Sequence, residues 1–202
     1  MKLIVTGPAG AGKGSLAKYL AIDYNIPHIS TGDIFRKAND PVANGYIAQG
    51  LLVPDKIFLP LIKKRLREKD CETGYILDGF PRTLKQAQLG VPVDYIINIT
   101  VTPETVLKRL GGRYVCRKCG QMHNVLWHKL DKCRDCGGEL YQREDDREEI
   151  ILRRLEQHNR EFSVILDWYK AQNVKVLEIE SKIEYSPEDI YRSFCEKHGT
   201  LK

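Results

Sequence analysis

No long apolar run occurs in the 202-residue sequence, and it contains no internal repeat or low-complexity segment. Every apolar run falls well short of the ~20 residues that a helix needs to cross a bilayer, so a helical membrane protein is not the expected class. The pattern of a secretory signal is also missing, because glycines directly follow the short apolar stretch 3–6. We therefore expect a cytoplasmic protein without a membrane partner.

A large excess of one charge is missing as well. The 32 Lys and Arg residues against 27 Asp and Glu residues give a net charge of +5. This mild excess suits a protein that handles polyphosphates but does not require nucleic acid, which we do not expect as a partner. Hydrophobic residues make up 42% of the chain and charged residues 29%. A globular protein of this length has room for one sizeable core with small insertions.

Glycine is concentrated in segment 7–15, which reads Gly-Pro-Ala-Gly-Ala-Gly-Lys-Gly-Ser after an apolar strand. Such a loop lets successive backbone N–H groups face one anion, and the dipole of the following helix and Lys13 add positive charge. We interpret the segment as a phosphate-binding loop rather than a chance glycine-rich turn. The general pattern expects Ser or Thr directly after the lysine, whereas here Gly14 comes first and Ser15 second.

Short apolar, β-branched runs alternate with longer amphipathic ones along the chain. The predicted strands are Lys2–Thr6, His28–Ser30, 75–77, 94–101 and 174–179. The predicted helices are Lys13–Tyr24, 55–69, 103–110, about 146–172, and one that begins after Ser186 and Pro187. This alternation predicts an α/β fold, with a central parallel five-stranded sheet between two helical layers. Segments 38–50 and 111–142 break the alternation, which predicts two small insertions that project from the core.

A second group of charged residues follows other predicted strands. Asp78 ends a strand, where its carboxylate can hold Mg²⁺ through water, although it can also cap the next helix. Arg82 follows Pro81, whose rigid backbone suits an arginine preorganised for a phosphate. Arg36 lies just beyond another strand end. Because ligands bind at the carboxyl ends of parallel strands, we expect these side chains to face one crevice.

Four of the six cysteines form two CxxCG motifs, Cys116 with Cys119 and Cys133 with Cys136. Two such turns predict a closed tetrahedral site of four thiolates with a structural metal, favoured over disulfides or free thiols. Zinc is the favoured metal, while iron also suits four sulfur ligands. Since the four cysteines complete the ligand set, His123 and His128 are predicted to lie on the surface. The isolated Cys71 and Cys195 are predicted to be packing residues.

Taken together, these motifs resemble those of the adenylate kinase family. The resemblance is carried by segment 7–15, by Ile-Ser-Thr-Gly-Asp at 29–33, by Asp-Gly-Phe-Pro-Arg-Thr at 78–83 with Gln86, and by Arg-Glu-Asp-Asp at 143–146 with Arg154. These motifs stand in family order over nearly the whole chain, and the paired CxxCG motifs resemble bacterial members with a metal-binding lid. The family transfers the γ-phosphoryl group of ATP to AMP reversibly, which gives two ADP.

The resemblance implies a three-layer fold like that of P-loop NTPases, divided into three parts. The core would comprise residues 1–30, 54–111 and 147–202, the AMP-binding insertion 31–53, and the metal-binding lid 112–146. It implies ATP, AMP and ADP as ligands, Mg²⁺ with ATP, and a structural Zn²⁺ in the lid. We expect a monomer, because two closing lids need free surfaces.

The resemblance also implies roles for individual residues, including Asp78 as the residue that holds Mg²⁺ through water. The residues implied in ATP binding are Gly10, Ala11, Gly12, Lys13, Gly14, Ser15, Arg109, Arg113, Met122, His123 and Lys182. Those implied in AMP binding are Thr31, Arg36, Leu51, Leu52, Val53, Gly79, Phe80, Pro81, Arg82, Gln86, Arg143 and Arg154. Those implied in catalysis are Lys13, Arg82, Arg113, Arg143 and Arg154. No general base is needed, because the AMP phosphate is already an anionic nucleophile.

Some positions depart from the family pattern. Leu51 stands where a polar residue is often found, Met122 and His123 replace a Ser/Thr-Tyr pair, and Lys182 replaces part of an Asp-Gly loop. Two other readings stay open at this point. One is a related nucleoside monophosphate kinase that uses another donor such as GTP, and the other is a nucleic-acid-binding ATPase with a zinc ribbon. The carboxamide of Gln86 can pair with an adenine edge, which favours AMP as the acceptor.

Overall fold

Eight strands form between residues 1 and 201, which are the residues that the computed structural model describes. They are β1 Lys2–Thr6, β2 His28–Ser30, β3 Tyr75–Asp78, β4 Tyr95–Thr100, β5 Arg113–Cys116, β6 Met122–Asn124, β7 Leu140–Tyr141 and β8 Lys175–Glu180. The helices are α1 Lys13–Tyr24, α2 Thr31–Ala38, α3 Pro41–Ala48, α4 Asp55–Leu66, α5 Leu84–Ala87, α6 Pro103–Gly111, α7 Glu148–Ala171 and α8 Pro187–His198. The predicted alternation of strands and helices is confirmed.

A five-stranded parallel sheet forms the centre of the fold, in the order β2-β3-β1-β4-β8. Val5 lies opposite Asp78, and Ser30 also pairs with Asp78. The carboxyl ends of β1, β2 and β3 therefore meet at one edge. This register brings the glycine-rich loop, the start of α2 and the Asp78 motif to the same place, as expected for a parallel sheet.

Helices cover both faces of the sheet, so the inner strands β3, β1 and β4 are buried on two sides. On one face Ile4 packs in an apolar cluster with Phe58 and Phe80. On the other face Leu3 and Val5 pack in a cluster that includes Phe194 of α8. Alternate residues of β1 thus serve opposite layers, which explains why the strand is apolar throughout. The predicted three-layer α/β fold is confirmed.

Segment 38–50, which was predicted to be an insertion, contains α3, and α2 directly precedes it. Ser30 caps α2, and its hydroxyl accepts a hydrogen bond from the Asp33 N–H at 3.3 Å. Asp40 caps α3 by accepting from the Ala43 N–H at 2.8 Å, with Pro41 in the first turn. These helices begin at strong capping signals but are only eight residues long, so their periodicity is weak in the sequence.

The cysteine-rich insertion carries a three-stranded antiparallel sheet in the order β6-β5-β7. Val115 of β5 lies opposite Met122 on one side and Tyr141 on the other. The strands have two to four residues each, too short for an alternating pattern to predict them. In the part of the chain that the structure describes, no helix combines the length and apolar character needed to cross a bilayer.

Candidate active site

The glycine-rich loop connects β1 to α1 at the carboxyl edge of the sheet. Gly12 takes the left-handed conformation at φ 100° directly before α1. This positive φ favours glycine, and a Cβ atom there would also lie 2.4 Å from Ile190 Cδ1. Lys13 Nζ donates to the Pro8 carbonyl at 2.7 Å. The loop thus folds back on its own lysine at the amino-terminus of a helix, the arrangement that favours a bound phosphate.

Electrostatic strain marks Lys13 as part of an anion site. Desolvation, against the opposing charge of Asp78 and aided by the nearby cations Arg82, Arg154 and Arg113, lowers the pKa of Lys13 to about 8. Asp78 and Arg82 lie at the end of β3 and in the loop after it. Arg113 belongs to β5 and Arg154 to α7. An added anion would relieve this repulsion, since opposite charge favours the ammonium form.

Asp78 lies beside this loop at the end of β3. Its Oδ2 atom is 3.3 Å from His28 Nε2. A Cβ atom on Gly14 would lie 3.2 Å from the same Oδ2, closer than most Cβ contacts. The glycine between Lys13 and Ser15 therefore gives the carboxylate room at the start of α1. An oxygen donor at this place fits a magnesium ion that reaches the protein through water.

Two adjacent cavities open at this edge of the sheet. The first has a volume of about 590 Å³ and is lined by α2, the segment 50–53, Arg82 and Gln86. The second has a volume of about 650 Å³ and extends from Lys13 to Phe162 of α7. Arg82 and Arg154 line both cavities. Their guanidinium groups therefore stand where the two spaces meet.

Guanidinium groups from several elements crowd together around these cavities. Desolvation, aided by the charge of Arg154, lowers the pKa of Arg82 to about 10. The Arg82 side chain is still accessible from the cleft. Its Nε donates to the Gly79 carbonyl at 2.8 Å. Desolvation also lowers the pKa of Arg143 to about 10, aided by Arg113 and Arg36. The Nε atom of Arg143 is buried without a hydrogen-bond partner. A buried unpaired donor of this kind fits an anionic ligand.

Two aspartates, to which no role was assigned from the sequence, hold part of this cluster in place. Asp145 Oδ2 accepts from Arg154 Nη1 at 2.7 Å. Asp146 accepts from both Arg113 Nη2 and Arg113 Nε, the latter at 2.8 Å. Burial raises the pKa of Asp146, and the hydrogen bond from Arg113 opposes this. Such pairing aims a guanidinium in one direction and leaves other N–H groups for a ligand.

Thr31 and Gln86 are buried at the wall of the first cavity. The Thr31 hydroxyl donates to the carbonyls of Asp78 and Gly79, at 3.2 and 3.1 Å. Gln86 Oε1 accepts from the Arg82 backbone N–H at 2.8 Å, and its Nε2 donates to Asp55 Oδ1 at 2.8 Å. Gln86 thus joins Arg82 to α4. The contact of Asp55 with Gln86 was not predicted from the sequence, because the two residues are distant in the chain.

The remaining predicted residues have distinct surroundings. Arg109 is buried, and its Nη1 donates to the Ser181 hydroxyl at 2.8 Å and to the Gly10 carbonyl at 3.4 Å. It also donates to the carbonyl of Lys182, so it joins the loop before α8 to the phosphate loop. Lys182 and Met122 are exposed. Leu51, Leu52 and Val53 all line the first cavity.

A histidine that the sequence analysis did not single out also faces the second cavity. His158 lies one turn beyond Arg154 on α7, and its ring centroid is 4.5 Å from that of Phe162. Desolvation, together with the smaller effects of the positive charges on Lys13 and Arg82, lowers the pKa of His158 to about 4. The imidazole is therefore neutral near pH 7. The four-residue spacing from Arg154 was the signal that this side chain shares its face of the helix.

The four lid cysteines meet as predicted. Their Sγ atoms all lie within 4.8 Å of one another, with 3.5 Å between Cys116 and Cys136 and 3.6 Å between Cys119 and Cys133. Four thiol donors from two tight turns fit a closed structural metal site. Cys71 is buried. Cys195 of α8 is partly buried and packs against the apolar cluster that includes Phe194.

The prediction of a surface position was wrong for His123. This residue is half-buried, and its Nε2 atom is 3.2 Å from Cys133 Sγ. The antiparallel pairing of β6 with β5 puts position 123 opposite Tyr114 and turns the ring towards the cysteines. His128 is exposed, as predicted.

Comparison with known proteins agrees with this geometry. The family model described as adenylate kinase matches residues 5–174. A curated relative named adenylate kinase from Caldicellulosiruptor bescii is 44% identical, over 88% of this chain and 90% of the relative. One from Bacillus cytotoxicus is 44% identical over 84% of this chain and 87% of the relative. One from Thermodesulfovibrio yellowstonii is 43% identical over 86% and 89%.

The segment 5–174 that the family model matches includes the phosphate loop, the arginine cluster and the four clustered cysteines. Since the family match covers most of the chain and the relatives align along most of their own length, the chain belongs to the adenylate kinase family.

Proposed function

We propose that the chain transfers the γ-phosphoryl group of ATP to AMP across the junction of the two cavities. The observation that carries this proposal is that Arg82 and Arg154 line both spaces. Two nucleotides bound in these cavities would meet end to end at the two guanidinium groups. The common name of the relatives favours this reaction over a kinase that uses GTP and over a nucleic-acid-binding ATPase.

The donor ATP belongs in the second cavity in this proposal. The loop amides and Lys13 would hold its phosphates, with contributions from Gly10, Ala11, Gly12, Gly14 and Ser15. Asp78 would hold Mg²⁺ through water, and the ion would supply charge that offsets the repulsion between phosphates. Arg109 would hold the phosphate loop in position for ATP, because its hydrogen bonds join this loop to the segment that carries Lys182.

The acceptor AMP belongs in the first cavity. Its phosphate would bind Arg36 and Arg82, and its base would lie against the wall formed by Thr31, Gln86 and residues 51–53. The pairing of Gln86 with Asp55 leaves one N–H of the carboxamide for an adenine nitrogen. Segments 31–53 and 112–146 would act as the two closing parts over the core.

Transfer in this site depends on position and charge, not on a proton acceptor. The attacking AMP oxygen is already anionic, and the charge that develops on the transferred group would lie among Lys13, Arg113, Arg143 and Arg154. The lowered pKa values of Lys13 and Arg143 are what a cluster built for such an anion should show. The neutral His158 adds no further charge to this cluster.

We assign the four lid cysteines to one structural metal ion, with zinc favoured and iron as the alternative. Four thiolates within 4.8 Å form a closed donor set without a free position for substrate. The enzyme would work as a monomer in the cytoplasm on ATP, AMP and ADP, without a membrane or nucleic-acid partner.

A coupled assay tests the reaction directly. The full chain should form ADP rapidly when ATP and AMP are both present with Mg²⁺, and slowly with GMP, CMP or UMP. Replacing ATP by GTP should lower the rate with AMP. The absence of ADP formation with every nucleoside monophosphate would reject the proposed function, and a preference for GTP would reject ATP as the donor.

Arg82→Ala should lower kcat by about 10³-fold, because the guanidinium neutralises charge on the transferred group. Its thermal stability should stay the same or increase, since desolvation and Arg154 already disfavour this charge in the folded protein. Steady-state kinetics and melting curves give the two values. The control is Arg160→Ala, an exposed arginine of the same chain. A parallel loss of activity and of melting temperature in Arg82→Ala would mean a structural role instead.

Gln86→Ala should reduce the preference for AMP over CMP, because the carboxamide reads the base. The quantity to measure is the ratio of kcat/KM for the two acceptors. Gln86→Ala also removes the hydrogen bond to the Arg82 backbone, and a loss of rate from this cause cancels in the ratio because it affects both acceptors equally. Gln88→Ala is the matched control, an exposed glutamine two residues further on. If Gln86→Ala keeps the wild-type ratio, base selection does not depend on this side chain.

Removal of the lid metal should loosen segment 112–146 and lower activity while the central sheet stays folded. The reason is that few residues of this small sheet are buried, so metal binding supplies much of its order. Hydrogen exchange, compared between the chelated and zinc-loaded chain, should show faster exchange in β5 and β6 and unchanged exchange in β1 and β4. Full activity together with unchanged exchange in the chelated chain would contradict this role.

A further inference from the structure

One lid side chain has no part in the reaction proposed above, although it touches a metal-binding residue. His123 of β6 places Nε2 3.2 Å from Cys133 Sγ. Four thiolates already complete a tetrahedral site, so the metal itself does not require this imidazole. The contact therefore needs another chemical explanation.

The thiolates of such a site accept hydrogen bonds, and the lid supplies N–H groups to them. Four thiolates around one divalent ion leave a net charge of −2, which N–H donors stabilise. The backbone N–H groups of Lys118, Gln121 and Gly138 donate to the sulfur atoms of Cys116, Cys119 and Cys136, respectively. At Cys133 the contact comes from a side chain, the imidazole of His123.

The position of His123 in the lid sheet makes this contact useful. Tyr114 of β5 lies opposite His123, and Cys116 lies two residues further along the same strand. Cys133 belongs to the second cysteine motif, outside the strands of this sheet. A hydrogen bond from His123 to Cys133 thus connects the second motif to β6, which the backbone pairing alone does not do.

A rival arrangement would make the histidine a metal ligand. Single ligand atoms of His123, Cys133 and Asp135 lie within 4.8 Å of one another. Asp135 is exposed, and Cys133 Sγ already lies 3.6 Å from Cys119 Sγ within the four-sulfur group. The four-sulfur group therefore accounts for Cys133 without a second metal.

We propose that His123 is a positioning residue for the lid metal: its Nε2–H donates to the metal-bound Cys133 thiolate and joins the metal site to β6. This inference rests on the proposed four-cysteine site. The hydrogen bond should slow the loss of the metal and keep β6 in register with β5. Partners of metal ligands commonly change metal affinity by about 10–100-fold when they are removed.

The test measures zinc affinity of the full chain by competition with a chromophoric chelator. His123→Leu should weaken zinc binding by about 10-fold or more. His123→Gln, whose amide N–H can reach a similar place, should stay close to the wild type. His128→Leu is the matched control, because it removes the exposed lid histidine. X-ray absorption of the zinc-loaded wild type should show four sulfur ligands and no nitrogen ligand.

Several results would overturn the proposal. Equal zinc affinity in His123→Leu and His128→Leu would show that the contact has no effect on the metal. A coordination shell with one nitrogen, or a second equivalent of zinc that His123→Leu abolishes, would make His123 a ligand instead. A wild-type chain that binds no metal would reject the four-cysteine site itself. This outcome differs from a failure of the His123 contact alone, in which the wild type binds zinc and His123→Leu binds it equally well.

Discussion

Burial of several side-chain cations close together at the carboxyl edge of the sheet is the constraint on which the rest of the site depends. Desolvation and neighbouring charges lower the pKa values of Lys13, Arg82, Arg143 and Arg154 together. The folded chain holds these groups close because the sheet and its helices fix the backbone around them. Phosphates bound among them would remove this repulsion, so the cost of bringing the cations together becomes binding energy directed at the transferred group.

Carboxylates divide this cluster into fixed and available parts. Asp145 and Asp146 each pair with one arginine from another segment, Arg154 and Arg113. These pairs aim the guanidinium groups without neutralising the cleft as a whole. Asp78 stands on the opposite side at the end of β3, where Gly14 leaves space for it. The unusual glycine after Lys13, first noticed as a departure in spacing, thus allows a carboxylate to approach the phosphate loop closely.

The centre of the sheet was predictable because β1, β3 and β4 are buried on both faces and read as apolar runs, as in Ile76 and Leu77. The phosphate loop was predictable because it directly follows β1, and Arg82 because it lies close to the end of β3. Short elements were not, since α3 and the lid strands are set by caps, pairing and cysteines instead of periodicity. The contacts of Asp55 with Gln86 and of His123 with Cys133 were not predicted, because the partners in each pair are separated in the chain and meet only in the fold. Contacts of this kind depend on tertiary register, which local pattern does not contain.

The lid sheet shows how a structural metal and a reaction can depend on one short strand. Arg113 begins β5 and Cys116 ends it. At one end Arg113 pairs with the buried Asp146, and at the other Cys116 lies among the four thiols. A strand of four residues cannot tilt at one end without moving the other, because its backbone rises only ~3.3 Å per residue. Order that a bound metal imposed on the cysteines would therefore be transmitted to the direction of the Arg113 guanidinium, which is the route by which the proposed metal site would affect the proposed phosphoryl transfer.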